Sequence, residues 1–114
     1  MSFTPKVLVA QQYVDNAALT LKYTSPTGGK GTWIDKAVFT NISGATAQLT
    51  VNIVPNAGSA GSDNKVIPGQ SMSASAVLSV AELAGKFLGP GDSIYWQASA
   101  GSAINGAING REVT

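Results

Sequence analysis

The sequence predicts an all-β protein, an antiparallel β-sandwich of the jelly-roll or immunoglobulin-like kind. Apolar and polar residues alternate over several short runs, turn-forming residues separate these runs, and 11% of the chain is charged while 44% is hydrophobic. Alternation places every second side chain on the same side of a strand, which is typical of antiparallel sheets with one buried and one wet face. Packing two such sheets face to face buries both apolar faces.

The predicted strands follow from this alternation. It is clearest in residues 48–53 and 93–100, where Val51 and Trp96 each have apolar residues two positions before and two positions after. Residues 18–23 and 71–80 show the same period, and residues 33–40 are predicted as a further strand. The side chains expected to face the core are Leu19, Leu21, Tyr23, Leu49, Val51, Ile53, Met72, Ala74, Ala76, Leu78, Val80, Ile94, Trp96 and Ala98.

Turn signals separate the runs at short intervals. Gly supplies a positive φ, Pro fixes φ, and Asn and Asp bond to nearby backbone, so clusters of these residues predict chain reversals. Frequent turns between short strands favour a sandwich or barrel. The predicted turns and loops are residues 25–31, 41–44, 56–64, 68–69, 89–92 and 105–106.

One segment departs from the strand pattern. Residues 79–88 carry apolar side chains at helical spacing, and Ser79 and Glu82 are placed as a capping box. We predict one short helical turn near residues 80–88, closing an end of the sandwich and ended by Gly89 and Pro90.

The length predicts one domain. A chain of 114 residues fits a single core of ordinary size. We assign residues 1–114 to one β-sandwich domain, with residues 1–17 as an N-terminal arm or an edge strand.

The residue inventory disfavours catalysis. The chain has no His and no Cys, which removes the commonest general base, the thiol nucleophile and the strongest zinc ligands. We therefore expect no enzyme activity, no catalytic residue, no cofactor and no metal site. A hydrolase built on Asp35, which lies inside an apolar strand, and a second carboxylate remains as an alternative hypothesis.

Nucleic acid and membranes are not expected partners. The net charge is +1 and the seven Lys and Arg residues are dispersed, whereas phosphate binding needs several cations on one face. No apolar run approaches the roughly 18 residues that span a bilayer, and the first residues lack a signal-peptide pattern. We expect a protein made in a cytoplasm.

The surface and its aromatic residues predict contacts with other macromolecules. Low charge means that copies repel one another weakly, so we expect a homo-oligomer. Tyr95, Gln97 and Trp33 are the candidate contacts for a glycan or a protein partner. The flat rings of Tyr95 and Trp33, each with a polar edge, suit both kinds of partner. For Trp33 a place in the core or at its rim is the commoner use of tryptophan.

The chain resembles a family of small accessory virion structural proteins of tailed bacteriophages. The resemblance covers residues 23–114 and is carried by turns and alternation: YTSPTGGKGTW, the NISG turn, the strand ending in NIVP, then PGQS, LAGKFLGPGDSIYWQASAG and the closing GREVT. It brings no functional residues with it.

The resemblance implies a β-sandwich that packs on the virion. The expected function is a capsid decoration, or cement, protein that stabilises the particle through contacts with the major capsid protein or other virion proteins. It would be made in the host cytoplasm and reside on the capsid exterior. A neck, tail or fibre module that binds a host receptor or glycan is the alternative.

Overall fold

The computed structural model describes residues 2–79 and 83–114. In this part of the chain nine strands and one 3-10 turn follow one another. The elements are β1 (Phe3–Tyr13), β2 (Thr20–Thr24), β3 (Gly31–Asn41), β4 (Ala47–Val54), the 3-10 turn (Ser62–Asn64), β5 (Lys65–Met72), β6 (Val77–Ser79), β7 (Phe87–Leu88), β8 (Ser93–Ala98) and β9 (Ile104–Val113).

The strands form two antiparallel sheets. The front sheet has the order β1-β9-β3-β6, and β7 also pairs with β3. The back sheet has the order β2-β8-β4-β5. The predicted β-sandwich is therefore confirmed.

The strand order distinguishes the two predicted kinds of sandwich. β1 pairs with the last strand β9, β2 pairs with β8, β3 pairs with β6 and β7, and β4 pairs with β5. The first strand pairs with the last, the second with the last but one, and so on toward the middle of the chain. This nested pairing is that of a jelly roll, in which β6 and β7 together occupy one strand position. In an immunoglobulin-like sandwich the first two strands lie in the same sheet, whereas β1 and β2 lie in different sheets here. The immunoglobulin-like alternative is wrong.

The core lies between the sheets, and Trp96 packs at its centre. Its indole ring is fully buried on β8 and meets the ring of Phe39 from β3 edge-on, with 5.7 Å between centroids. Gly106 on β9 leaves the space for both rings, because a Cβ there would lie 2.6 Å from the Phe39 ring. Leu49 and Ile94, both predicted to face inward, are also fully buried. Each such side chain contributes about 1.5–3 kcal/mol through removal from water.

A bulge corrects the predicted facing of β2. The register shifts between Leu21 and Tyr23, so Leu21 is 49% exposed, whereas Tyr23 is buried as expected. Lys22 turns instead toward the rim of the core, where its ammonium lies 5.5 Å from the centroid of the Trp96 ring and 3.2 Å from Asp15. A bulge adds one residue to one strand and so inverts the facing that strict alternation predicts.

The predicted single strand over residues 71–80 is interrupted by a turn between the end of β5 and β6, and residue 80 lies outside the described part of the chain. β5 ends at Met72, a turn bonds Ala76 N to Ser73 O at 3.0 Å, and β6 begins at Val77. Ser75 adopts a φ of 63° in this turn. The chain thereby crosses from the back sheet to the front sheet.

The remaining turn predictions have mixed outcomes. The predicted turns at residues 68–69 and 105–106 are wrong, because these residues lie inside β5 and β9. Of the predicted helical turn near residues 80–88, residues 80–82 lie outside the described part of the chain. Leu83 to Gly85 form a turn closed by Lys86 N and Leu83 O at 3.0 Å, and Phe87 and Leu88 form β7, so no helix continues there.

The N-terminal region forms a long edge strand. β1 spans Phe3–Tyr13 and pairs with β9, so it borders the front sheet. Register shifts after Val7 and after Val9 bend it, a feature common at sheet edges.

Candidate functional site

The three contact residues suggested by the sequence do not form one site. Tyr95 and Gln97 lie on β8, on the outer side of the back sheet. Trp33 lies on β3, beside fully buried Ile34, and faces outward from the front sheet. The molecule therefore presents two outer faces of different character, which we call the front face and the back face.

Aromatic side chains gather at one end of the front face. Trp33 pairs in register with Arg111 on β9 and with Phe87 on β7. The Trp33 and Phe87 rings are 4.8 Å apart between centroids, and the Arg111 guanidinium lies 5.7 Å from the ring centroid of Phe3. We call Phe3, Arg111, Trp33 and Phe87 the front-face row. Phe3, Trp33 and Phe87 are 53%, 36% and 44% exposed, so the row offers apolar area to a partner.

Asp35 fixes the guanidinium in the middle of this row. Arg111 Nε donates to both carboxylate oxygens, at 3.0 and 3.1 Å, and Nη2 lies 2.9 Å from Oδ1. Such a two-pronged contact orients the planar guanidinium. The carboxylate named in the hydrolase hypothesis is thus engaged by a cation on the same sheet.

The front-face row was only partly predictable. Trp33 was named from the sequence, whereas Phe3, Phe87 and Arg111 were not. Phe87 was placed on the predicted helical turn, but it is an exposed strand residue followed by fully buried Leu88. Because both residues are apolar, the sequence offered no alternation that would have separated them. Its ring packs over Gly31, whose φ is 128° and whose missing side chain leaves the necessary space.

The back face is polar. A shallow depression on it is lined by Gln48, Thr50, Gln97, Ala98 and Ser99. These residues come from β4, β8 and the start of the following turn, where β4 and β8 pair in register. Gln97 is therefore part of a surface of amides and hydroxyls, and Tyr95 lies two residues along the same strand.

A hydrogen-bonded chain links the two sheets at one end. The Tyr23 hydroxyl from β2 donates to Glu112 on β9 at 2.5 Å and lies 2.9 Å from Thr32 Oγ1 on β3. Because the single hydroxyl proton goes to Glu112, Thr32 donates to Tyr23 and Ser25, 2.8 Å away, donates to Thr32. Lys6 also donates to Glu112, at 3.2 Å.

This network shifts both titrating groups. The hydrogen bond from Tyr23 is the largest cause that holds the pKa of Glu112 below its ordinary value of 4.5. Burial, and then the hydrogen bond to Glu112, raise the pKa of Tyr23 to about 12. Glu112 therefore stabilises the fold above pH 4.5, and this contribution is lost as the pH falls through its lowered pKa. The contribution of Tyr23 is complete below pH 10 and is lost as the pH rises toward about 12.

We expect Glu112→Gln to lower the free energy of unfolding at pH 7 by about 1.5–3 kcal/mol, because a charge-assisted hydrogen bond to Tyr23 is lost. The difference from the wild type should begin to shrink below pH 4.5 and should disappear as the pH falls through the lowered pKa of Glu112, where the wild-type carboxyl is neutral as well. Urea titrations followed by circular dichroism over a pH series measure this. Asp63→Asn, at an exposed position, is the control and should leave the pH profile unchanged. A constant difference at all pH values would contradict the assigned role.

Metal and membrane signatures give no further candidates. Within residues 2–79 and 83–114, no group of three or more His, Cys, Asp or Glu side chains is placed to hold a metal ion. In the same residues no helix has the length and apolar character to cross a bilayer. Comparison with protein-family models, with curated proteins and with solved structures found no match.

Proposed function

We propose that this chain is a non-enzymatic structural protein of a bacteriophage virion, a decoration protein that stabilises the capsid through protein–protein contacts. The observation that carries the proposal is the front-face row, in which Phe3 and Trp33 flank an arginine held in place by Asp35 and the exposed Phe87 ring extends the row beyond Trp33. Tryptophan and arginine are over-represented among the residues that dominate binding energy at protein interfaces.

Composition and fold support the proposal. Only 11% of the residues are charged, so little charge has to be desolvated when the surface is covered. Jelly rolls are common among viral capsid domains, and this support is by analogy of fold alone. The resemblance of residues 23–114 to accessory virion proteins points the same way.

The proposed partner is the major capsid protein or another virion protein, and the proposed location is the capsid exterior, reached after synthesis in the host cytoplasm. Homo-oligomers on a symmetric lattice would let many small contacts act together. The alternative is a neck, tail or fibre module that recognises a host receptor or glycan. The depression on the back face, whose lining has no charged side chain, favours that alternative.

The test is a binding experiment with a double variant of the front-face row. We expect wild-type protein to co-sediment with purified capsids and Trp33→Ser/Phe87→Ser to bind at least about 30-fold more weakly, since hot-spot residues contribute 2 kcal/mol or more. Leu21→Ser is the matched control, because it removes a comparably exposed apolar side chain (49%) from the other sheet. Absence of wild-type binding, or equal binding by the double variant, would overturn the proposal.

A further inference from the structure

The depression on the back face and the front face carry side chains of different chemistry. The depression formed by Gln48, Thr50, Gln97, Ala98 and Ser99 has amide and hydroxyl side chains and no charged one. The front face, by contrast, carries the Asp35–Arg111 ion pair. Two faces with such different chemistry are suited to different ligands.

Most of the hydrogen-bonding capacity of this depression is unused. Among the described residues, the side chains of this set make two hydrogen bonds: Gln48 N donates to Ser99 Oγ at 2.8 Å, and Gln97 Nε2 donates to Asn16 O at 3.3 Å. The Gln97 carbonyl oxygen, the Ser99 hydroxyl proton and the polar atoms of Gln48 and Thr50 therefore stay available. Together they offer both donors and acceptors on one surface.

An apolar shelf adjoins these polar groups. Tyr95 is paired across strands with Leu21 of β2, which the bulge in that strand turns outward to 49% exposure. Residues two apart on a strand lie on the same face about 7 Å from each other, so the Tyr95 ring and the Gln97 amide are neighbours. A ligand lying along β8 would contact both.

We propose that the back face is a binding site for a neutral oligosaccharide. Sugar hydroxyls both donate and accept, which matches amide and hydroxyl groups, and the apolar face of a sugar ring packs on a tyrosine ring. The lining offers no cation for an acidic ligand and no carboxylate for a basic one. Protein partners are better served by the front-face row, where exposed aromatic rings and an arginine provide the usual anchors.

The proposal is independent of capsid binding, because the two sites lie on opposite faces. NMR titration of ¹⁵N-labelled protein with lactose, maltotriose and chitotriose, each to tens of millimolar, tests it. We expect at least one of these neutral probes to shift the amide resonances of β4 and β8 in the wild type. Sialyllactose serves as the acidic comparator and should bind no better than lactose.

Variants connect the binding to the named residues. Gln97→Ala and Tyr95→Ala should each weaken binding of the responsive probe about tenfold, the effect expected from losing one hydrogen bond or one packed ring. Trp33→Ala, on the front face, should leave it unchanged, and Tyr95→Phe should retain most of it because the ring remains. The proposal is overturned if no neutral probe binds, if shifts map to the front face, or if Gln97→Ala and Tyr95→Ala both bind as wild type.

Discussion

Trp96→Ala should lower the free energy of unfolding by about 3–5 kcal/mol, the usual cost of removing a large buried aromatic side chain. Trp96 is fully buried, packs edge-on against Phe39 and donates its indole N–H to Asp15 at 3.0 Å. This hydrogen bond is also the largest cause that lowers the pKa of the Asp15 carboxyl. Native domains have total stabilities of roughly 5–15 kcal/mol, so this loss would be a large share of the total.

Urea denaturation followed by far-ultraviolet circular dichroism measures this loss. Trp33→Ala is the matched control, since it removes the same side chain from a position that is 36% exposed. We expect it to cost less than half as much, because less area is removed from water. Equal losses at the two positions would show that Trp96 is not at the centre of the core.

Gly110→Ala should cost about 3 kcal/mol, at the upper end for overpacking, because rigid backbone lies in the way. A Cβ at this position would collide with the carbonyl oxygen of Trp33 on the paired strand and would lie 2.8 Å from Leu8 Cδ1. Gly110 is opposite Ile34 in the β3–β9 pairing, so relief would require the two central strands to separate. The front-face row, which spans these strands, would be distorted as well.

Gly28→Ala is the control for this effect. A Cβ on Gly28 meets nothing within 4 Å, so the variant should be neutral or slightly more stable through reduced freedom of the unfolded chain. Thermal unfolding of both variants compares them directly. If Gly110→Ala and Gly28→Ala unfold at the same temperature, β3 and β9 do not approach each other as closely at Gly110 as the structure indicates.

The fold class could be predicted from the sequence because it depends on local pattern. In β8, strict alternation predicted the three buried side chains Ile94, Trp96 and Ala98, and all three are buried. In β4, Leu49 and Val51 are buried as predicted. Alternation fixes which side of a strand is apolar, but it carries no information about strand order. The choice between jelly-roll and immunoglobulin-like order therefore needed the pairings.

The incorrect sequence-based predictions have local physical causes. Leu21 was expected in the core, but the bulge after it reverses its facing. Gly69 and Gly106 were read as turn residues, whereas Gly69 takes its φ of 73° within a strand and Gly106 makes room for the Phe39 and Trp96 rings. Glycine serves both turns and close packing, so its presence alone could not separate these uses.

The candidate surfaces depend on register between distant segments. Trp33, Phe87 and Arg111 lie far apart in sequence and become neighbours only through the pairing of β3 with β7 and β9. The sequence indicated Tyr95 and Gln97 correctly as neighbours on one strand face, but Gln48 and Thr50 join them through the β4–β8 pairing. Long-range pairing is not encoded in any single segment.

The most direct test of the proposed decoration role is electron cryomicroscopy of intact particles of the bacteriophage that the proposal takes as the source of this chain. We expect density for the jelly roll on the outside of the capsid, with Trp33, Phe87 and Arg111 against the shell and Tyr95 and Gln97 facing solvent. Particles without this density, or with the back sheet seated on the shell, would contradict it.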